Sequence, residues 1–158
     1  MAQKRPVVTD LIQSISVRVY PVGRLDFDSL GLLLLTNDGT LTNLVTHPRY
    51  QVEKTYLALV TGNPGAAALR HLESGVKLDD GIALARSARV TTQHRGRALI
   101  EIVMTEGRKR EVRRMLAEVG HAVVELTRTA IGPVRDADLV PGAWRELDVD
   151  EVRSLYAA

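Results

Sequence analysis

The chain has 158 residues, 45% of them apolar and 25% charged, which is enough for one globular core and within the usual size of a single domain. It contains no cysteine, which excludes disulfides and cysteine-ligated zinc, and His47, His71, His94 and His121 lack the short spacings of a metal site. A net charge of +2 and a pI near 9.1 are too mild to argue by themselves for a nucleic-acid partner.

Aromatic content is only 4%, so the core must be built mainly of Leu, Val, Ile and Ala. Met1 to Arg18 contains no apolar signal core. The longest apolar run, Leu30 to Leu35 with Gly31 included, falls well short of the about 20 residues that span a bilayer, so a cytoplasmic location is expected.

In chain order, Val7 to Ile15 is read as a short helix and Val17 to Pro21 as a strand leading into GRLDFDSLGLLLLTNDG at 23–39. In that stretch Leu32 to Leu35 suit a buried strand, and Asn37, Asp38 and Gly39 supply turn chemistry. Leu41, Leu44 and Val45 then define a helix opening at Asp38-Gly39 and closed by Pro48. Lys54 to Thr61 (KTYLALVT) is a strand. Asn63 as N-cap and Pro64 at the first helical position start the helix carrying Leu69 and Leu72. Short strands flank a turn at Asp79-Asp80-Gly81, and a longer hairpin pairs Arg89 to Gln93 with Ala98 to Thr105. Val112, Met115, Leu116 and Val119 give an amphipathic helix ending before Gly120; His121 to Ile131 is a strand; Asp148 and Glu151 form a capping box for a last helix. Hairpins outnumber βαβ units, so the expected class is α+β with a mixed, mostly antiparallel sheet flanked by helices.

Two clusters stand out chemically. Asp26 lies in a loop entering the leucine run, rigidly placed between Gly23 and Gly31, where a carboxylate is either a turn residue or a nucleophile. Positive charge crowds at Arg108, Lys109, Arg110, Arg113 and Arg114, with Arg110, Arg113 and Arg114 spaced as helical neighbours on a flank of the amphipathic helix. Such a run is either a solvated face or a binding surface.

GRLDFDSLGLLLLTNDG closely resembles the catalytic signature of the pseudouridine synthases grouped with ribosomal small-subunit synthase A and large-subunit synthases B, E and F. The resemblance runs from about Tyr20 to Tyr156 and implies the fold of that family, a central sheet with its cleft across the middle. It implies Asp26 as nucleophile. GRKREVRRML resembles the family's third motif, which implies that Arg113 pairs with Asp26 and keeps it ionised. Tyr56 matches the tyrosine that stacks on the target uracil near its C5 proton, and Leu126 matches an apolar residue beside the base. Arg24 is expected to hold the RNA once the base has left its stack. Lys109, Arg110, Arg114 and Arg128 are expected to bind substrate, with Lys109 and Arg128 on backbone phosphates. Asp28 is expected to be structural. The sequence departs from the family pattern at Leu30, often polar or smaller in relatives, and at Glu111, often Gln.

The implied substrate is a uridine of ribosomal RNA, chosen as large-subunit RNA on overall similarity to synthase B relatives, with no metal or organic cofactor. Residues 1–158 are expected to form one catalytic domain, shorter at the N-terminus than relatives that carry an S4-type RNA-binding domain and a Lys-Pro strand there; Lys4-Arg5-Pro6 does not replace that strand. An uncovered sheet edge and a tendency to self-associate follow from this. Two other readings compete. One is an RNA-binding or ribosome-assembly factor that keeps the fold without activity; the other is a carboxylate hydrolase, for which Asp28 is the only nearby second acid.

Overall fold

The computed structural model describes residues 17–135 and 137–157. The helix expected over Val7 to Ile15 lies outside them. The described chain runs β1 (Tyr20–Pro21), β2 (Leu30–Gly31), β3 (Leu35–Thr36), α1 (Gly39–Thr46), β4 (Lys54–Thr61), α2 (Ala66–Ser74), β5 (Val76–Leu78), β6 (Gly81–Ala83), β7 (Ser87–His94), β8 (Arg97–Met104), α3 (Glu111–Glu118), β9 (Val123–Ile131), β10 (Val134–Arg135) and α4 (Val149–Ala157).

The main sheet has the order β10-β9-β4-β8-β7, antiparallel throughout, with β2 added parallel to β9. The expected α+β class with a mixed, mostly antiparallel sheet is therefore the one observed. Strand β8 shows how sequence sets the layers: Ala98, Ile100, Ile102 and Met104 are buried and alternate with more exposed residues, the period of two that a sheet covered on one face requires. With Ala58 and Val60 of β4 they meet Leu72 of α2 and Met115 and Leu116 of α3 in one core. A second core joins Val22, Leu34, Leu41, Val45, Ile131, Val134 and Leu155, tying α1 and α4 to the ends of β9 and β10. The loop carrying Asp26 leaves this second core at Val22, whose N–H donates to Leu34 O at 2.8 Å.

Local signals work where they are self-contained. Arg95 and Gly96 both take positive φ, 46° and 76°, between the paired His94 and Arg97, the turn geometry that matches strand twist in a two-residue hairpin. Asp38 Oδ1 accepts from Thr40 N at 2.9 Å to start α1, and the Asp148–Glu151 capping box forms in both directions, at 3.1 and 2.8 Å.

Three expectations are corrected. The run Leu32 to Leu35 is not one strand: β2 ends before it at Gly31, residues 32–34 belong to no strand, and only Leu35 enters β3. Gly31 has φ of +113°, and a Cβ there would stand 2.1 Å from Arg128 O, so only glycine lets β2 press against β9. Helix α2 starts at Ala66 with Gly65 as its N-cap, not at Asn63-Pro64. Thr61 N and Gly62 N are held by Ala122 O and Gly96 O at 2.9 and 2.6 Å, and the chain bends at Gly62, with φ of 77°, before the helix begins. The strand expected from Val17 is confined to Tyr20–Pro21, where β3 is its partner.

Candidate active site

The Asp26 loop is a tight turn pinned from the far side of the cleft. Ser29 N donates to Asp26 O at 2.9 Å, closing the turn with Phe27 and Asp28 at its tip. Arg110, the N-cap of α3, sits at φ of 52° and makes no side-chain cap. Its guanidinium instead grips the Asp28 carboxylate with both arms, at 3.0 and 3.0 Å, the bidentate geometry that gives arginine its directional hold. Arg113 Nη2 donates to the Asp28 backbone carbonyl at 2.8 Å, and its Nε lies 3.6 Å from Asp28 Oδ1. The Arg110 hydrogen bonds, with the positive charge of Arg113 behind them, hold the Asp28 carboxyl below its usual value despite some desolvation. Asp28 thus ties the turn to the start of α3.

Asp26 itself is half-buried and lines a cavity with Arg24, Leu25, Ser29, Tyr56, Leu126 and the stretch 106–112. The floor comes from the sheet. Tyr56 and Ala58 lie on one face of β4, Ala58 pairs with Leu126 of β9, and Leu126 is buried in the first core. Where that core meets the Asp26 loop it opens, so the half-buried Tyr56 ring borders both core and cavity. Among the described residues the Asp26 carboxylate makes no ion pair within 4.0 Å. Arg110 is the cation whose charge state it influences, as a smaller contribution beside Asp28.

The expected Arg113–Asp26 ion pair is accordingly replaced here by Arg113–Asp28. Arg113 reaches the Asp26 turn but engages it two residues on. Arg24, Lys109 and Arg110 line the cavity. Arg114 does not: both its terminal nitrogens bind the Asp80 carboxylate, at 2.8 and 3.1 Å. Arg128 is corrected outright as a phosphate contact. It is 6% exposed, and its Nε donates to Leu32 O at 2.8 Å, so its guanidinium supplies the hydrogen bond that β2 would otherwise get from a longer strand. Behind it Lys54 is buried with its Nζ on Val45 O at 2.7 Å, in the last turn of α1. Burial, and then the nearby Arg128 charge, bring that lysine down to about 8.

A second clamp was not legible in the sequence. Glu111 is 3% exposed; its oxygens accept from Arg108 N at 3.2 Å and Arg108 Nε at 2.9 Å. The same guanidinium donates to Asp80 O and Oδ1, both at 3.1 Å, and to Ile82 O at 3.0 Å. The β5–β6 hairpin is therefore bolted to the loop that carries Lys109 and Arg110. Asp79-Asp80-Gly81 signals only a turn; nothing local says that Asp80 faces arginines 28 and 34 residues away. Arg114 hydrogen bonds and the charges of Arg108 and Arg114 keep the Asp80 carboxyl low, whereas burial, aided by a hydrogen bond to Glu106, pushes Glu111 up to about 7. Among the described residues no group of His, Cys, Asp and Glu is arranged to hold a metal ion.

A half-buried aspartate, an aromatic ring and a basic rim around one cleft match a known family. The family model for RNA pseudouridylate synthase matches residues 13–118. The chain belongs to this family. It is 45% identical over 154 residues to an uncharacterized RNA pseudouridine synthase of Aquifex aeolicus, covering 98% of this chain and 62% of that protein. It is 42% identical over 155 residues to ribosomal large subunit pseudouridine synthase B of Bacillus subtilis, covering 97% of this chain and 64% of that protein. A crystal structure of a pseudouridylate synthase superposes with a TM-score of 0.77 at 32% identity, over 87% of this chain and 59% of that one. The chain thus spans about three-fifths of the length of these pseudouridine synthases.

Proposed function

We propose that this chain isomerises a uridine of ribosomal RNA, in the large subunit, to pseudouridine with Asp26 as nucleophile. The observation that carries the reading is the placement of Asp26 beside Tyr56 and Leu126 in one cleft. An unpaired uracil could lie there between an apolar floor and a carboxylate. The synthase B relative in Bacillus subtilis supports the choice of large-subunit RNA.

The reaction breaks the bond from N1 of uracil to the ribose C1', turns the base and rejoins it through C5, with loss of the C5 proton. It consumes no energy source. Carboxylate attack at C1', attack at the base C6, and carboxylate-assisted elimination all divide this exchange into smaller steps, and all need Asp26 ionised and aimed. Aim comes from the pinned turn: Arg110 and Arg113 hold Asp28, and Asp28 fixes the backbone that presents Asp26. Tyr56 stacks on the flipped base, replacing part of the stacking it lost, and lies where the C5 proton leaves. Arg24 and Lys109 at the rim take the phosphates on either side.

Tritium release from ribosomal RNA labelled at uridine C5 tests the reading. Release by the wild-type chain, absent from the Asp26→Asn variant, is the expected result. Saturable RNA binding without release by the wild type would point instead to an RNA-binding factor of the same fold.

A further inference from the structure

Besides Asp26, the cleft is lined by two carboxyl groups that the chemistry at Asp26 does not use. Glu106 and Glu111 share the lining with Arg24, Lys109 and Arg110, so negative charge stands among the cations that receive a polyanion. Neither carboxyl orients Asp26, whose turn is held by Arg110 and Arg113 through Asp28.

The two groups form a pair. A hydrogen bond joins their carboxyls, and such a bond exists only while one of them carries a proton. Both lean on one guanidinium: Arg108 Nε donates to Glu111 Oε2 at 2.9 Å, and Arg108 Nη2 lies 3.6 Å from Glu106 Oε1. That guanidinium is shared again, with Asp80 on the β5–β6 turn at 3.1 Å. Arg114 of α3 feels Glu111, Asp79 and Asp80, but gives both terminal nitrogens to Asp80. From the far wall of the cavity, Tyr56 of β4 and Arg24 and Asp26 of the turn complete the charged and titratable surroundings. Burial completes the effect: Glu111 is 3% exposed, and desolvation together with the Glu106 contact holds its carboxyl at about 7. Charge buried in this wall is poorly screened by salt. Phosphates drawn to Arg24 and Lys109 therefore repel a doubly ionised pair and favour the one that keeps its proton.

We infer that RNA binding in the cleft is proton-linked through the Glu106–Glu111 pair, which keeps its shared proton while the polyanion is bound and opposes binding once that proton is lost. This rests on the proposed reading for RNA as the occupant of the cleft, and adds to it a pH control of affinity separate from the ionisation of Asp26.

The test follows binding of a short rhodamine-labelled oligouridylate by fluorescence anisotropy, from about pH 6 to about pH 8 at constant ionic strength. The Asp26→Asn background removes both turnover and the titration of Asp26. Affinity should fall by about tenfold or more across the range, since a carboxyl raised by one pH unit in the complex corresponds to a tenfold ratio. Calorimetry in buffers of different ionisation enthalpy should show net proton uptake on binding near neutral pH, read with Glu106 and Glu111 both unaltered. Glu111→Gln keeps an acceptor for Arg108 and a donor for Glu106 but cannot titrate, so its affinity should vary by less than about twofold over the same range. Glu106→Gln puts an amide donor where a like charge stood, so the fall in affinity should move to lower pH.

The inference fails if wild-type affinity is constant within about twofold, if binding takes up no proton, or if Glu111→Gln keeps the wild-type pH dependence. In the last case a steeper salt slope at low pH would assign the dependence to a histidine on phosphate. Absence of saturable RNA binding at every pH overturns the inference and the RNA reading together. Absence of tritium release from the wild type, with pH-linked binding intact, removes the proposed reaction alone.

Discussion

Arg110 holds Asp28 with both arms of its guanidinium, at 3.0 Å each, and it does so from a left-handed backbone position at the start of α3. The contact joins two stretches 82 residues apart and sets the distance across the cleft. Because the Asp28 carboxylate is what Arg110 holds, Arg110 and Asp28 should act as one unit. Arg110→Ala and Asp28→Ala should each reduce single-turnover pseudouridine formation by on the order of 100-fold, the cost of a nucleophile displaced by about 1 Å. The double variant should be little worse than either. Effects that simply multiply would show that Arg110 acts on Asp26 by a separate route.

Asp26→Asn should leave fold and RNA affinity nearly intact, since shape is kept, and lower turnover by several orders of magnitude, as for other covalent nucleophiles. Product formation within about tenfold of wild type, measured by tritium release, would remove Asp26 from the role.

Glu111 provides a pH signature. Its carboxyl, ordinarily near 4.5, is held at about 7 by burial and by its hydrogen bond with Glu106, against the opposing pull of Arg108. Between these values the folded chain keeps a proton that the unfolded chain releases. Stability should therefore fall as pH rises from 4.5 towards 7, with the full penalty reached above the folded value. Glu111→Gln removes the titration and should flatten that part of the profile in thermal melts. Equal slopes for the two proteins across this window would contradict it.

Gly31→Ala tests the join between the loop and the sheet. A Cβ would meet Arg128 O at 2.1 Å and Arg128 N at 2.5 Å, both backbone atoms, on a residue with φ of +113°. Neither can yield without parting β2 from β9, so the loss should exceed about 3 kcal/mol, read from denaturant unfolding. A loss below about 1 kcal/mol would mean that this strand pairing contributes little.

Salt dependence separates the basic residues. Lys109 lines the cleft, and Lys109→Ala should lower the slope of log affinity against log salt by about 0.7 to 0.9. Arg114 is committed to Asp80 and Arg128 is buried, so Arg114→Ala and Arg128→Met should leave the slope unchanged. A reduced slope in either would show that the residue reaches phosphate.

What the sequence determined by itself is whatever depends on near neighbours along the chain. Strand β4 occupies Lys54–Thr61 as its β-branched and aromatic residues predict; the hairpin turn at Arg95-Gly96, the Asp38 cap and the Asp148–Glu151 box each close within a few residues. The motifs around Asp26 and Arg113 also identified the family, because residue types at fixed spacing survive without knowledge of their contacts. The partners of those motifs were decided only in three dimensions. Arg113 and Arg110 lie close enough in sequence to look interchangeable, but the positive φ of Arg110 turns its side chain across the cleft to the Asp28 carboxylate, while Arg113 takes the carbonyl. Arg128 reads as surface charge, yet it is buried where β2 lies against β9, with its Nε donating to Leu32 O. Asp80 reads as a turn residue and becomes the anchor of two arginines once β5 and β6 pack beside α3. Propensity and periodicity carry information over a few residues, whereas the partner of a long charged side chain depends on which distant segments the sheet brings together.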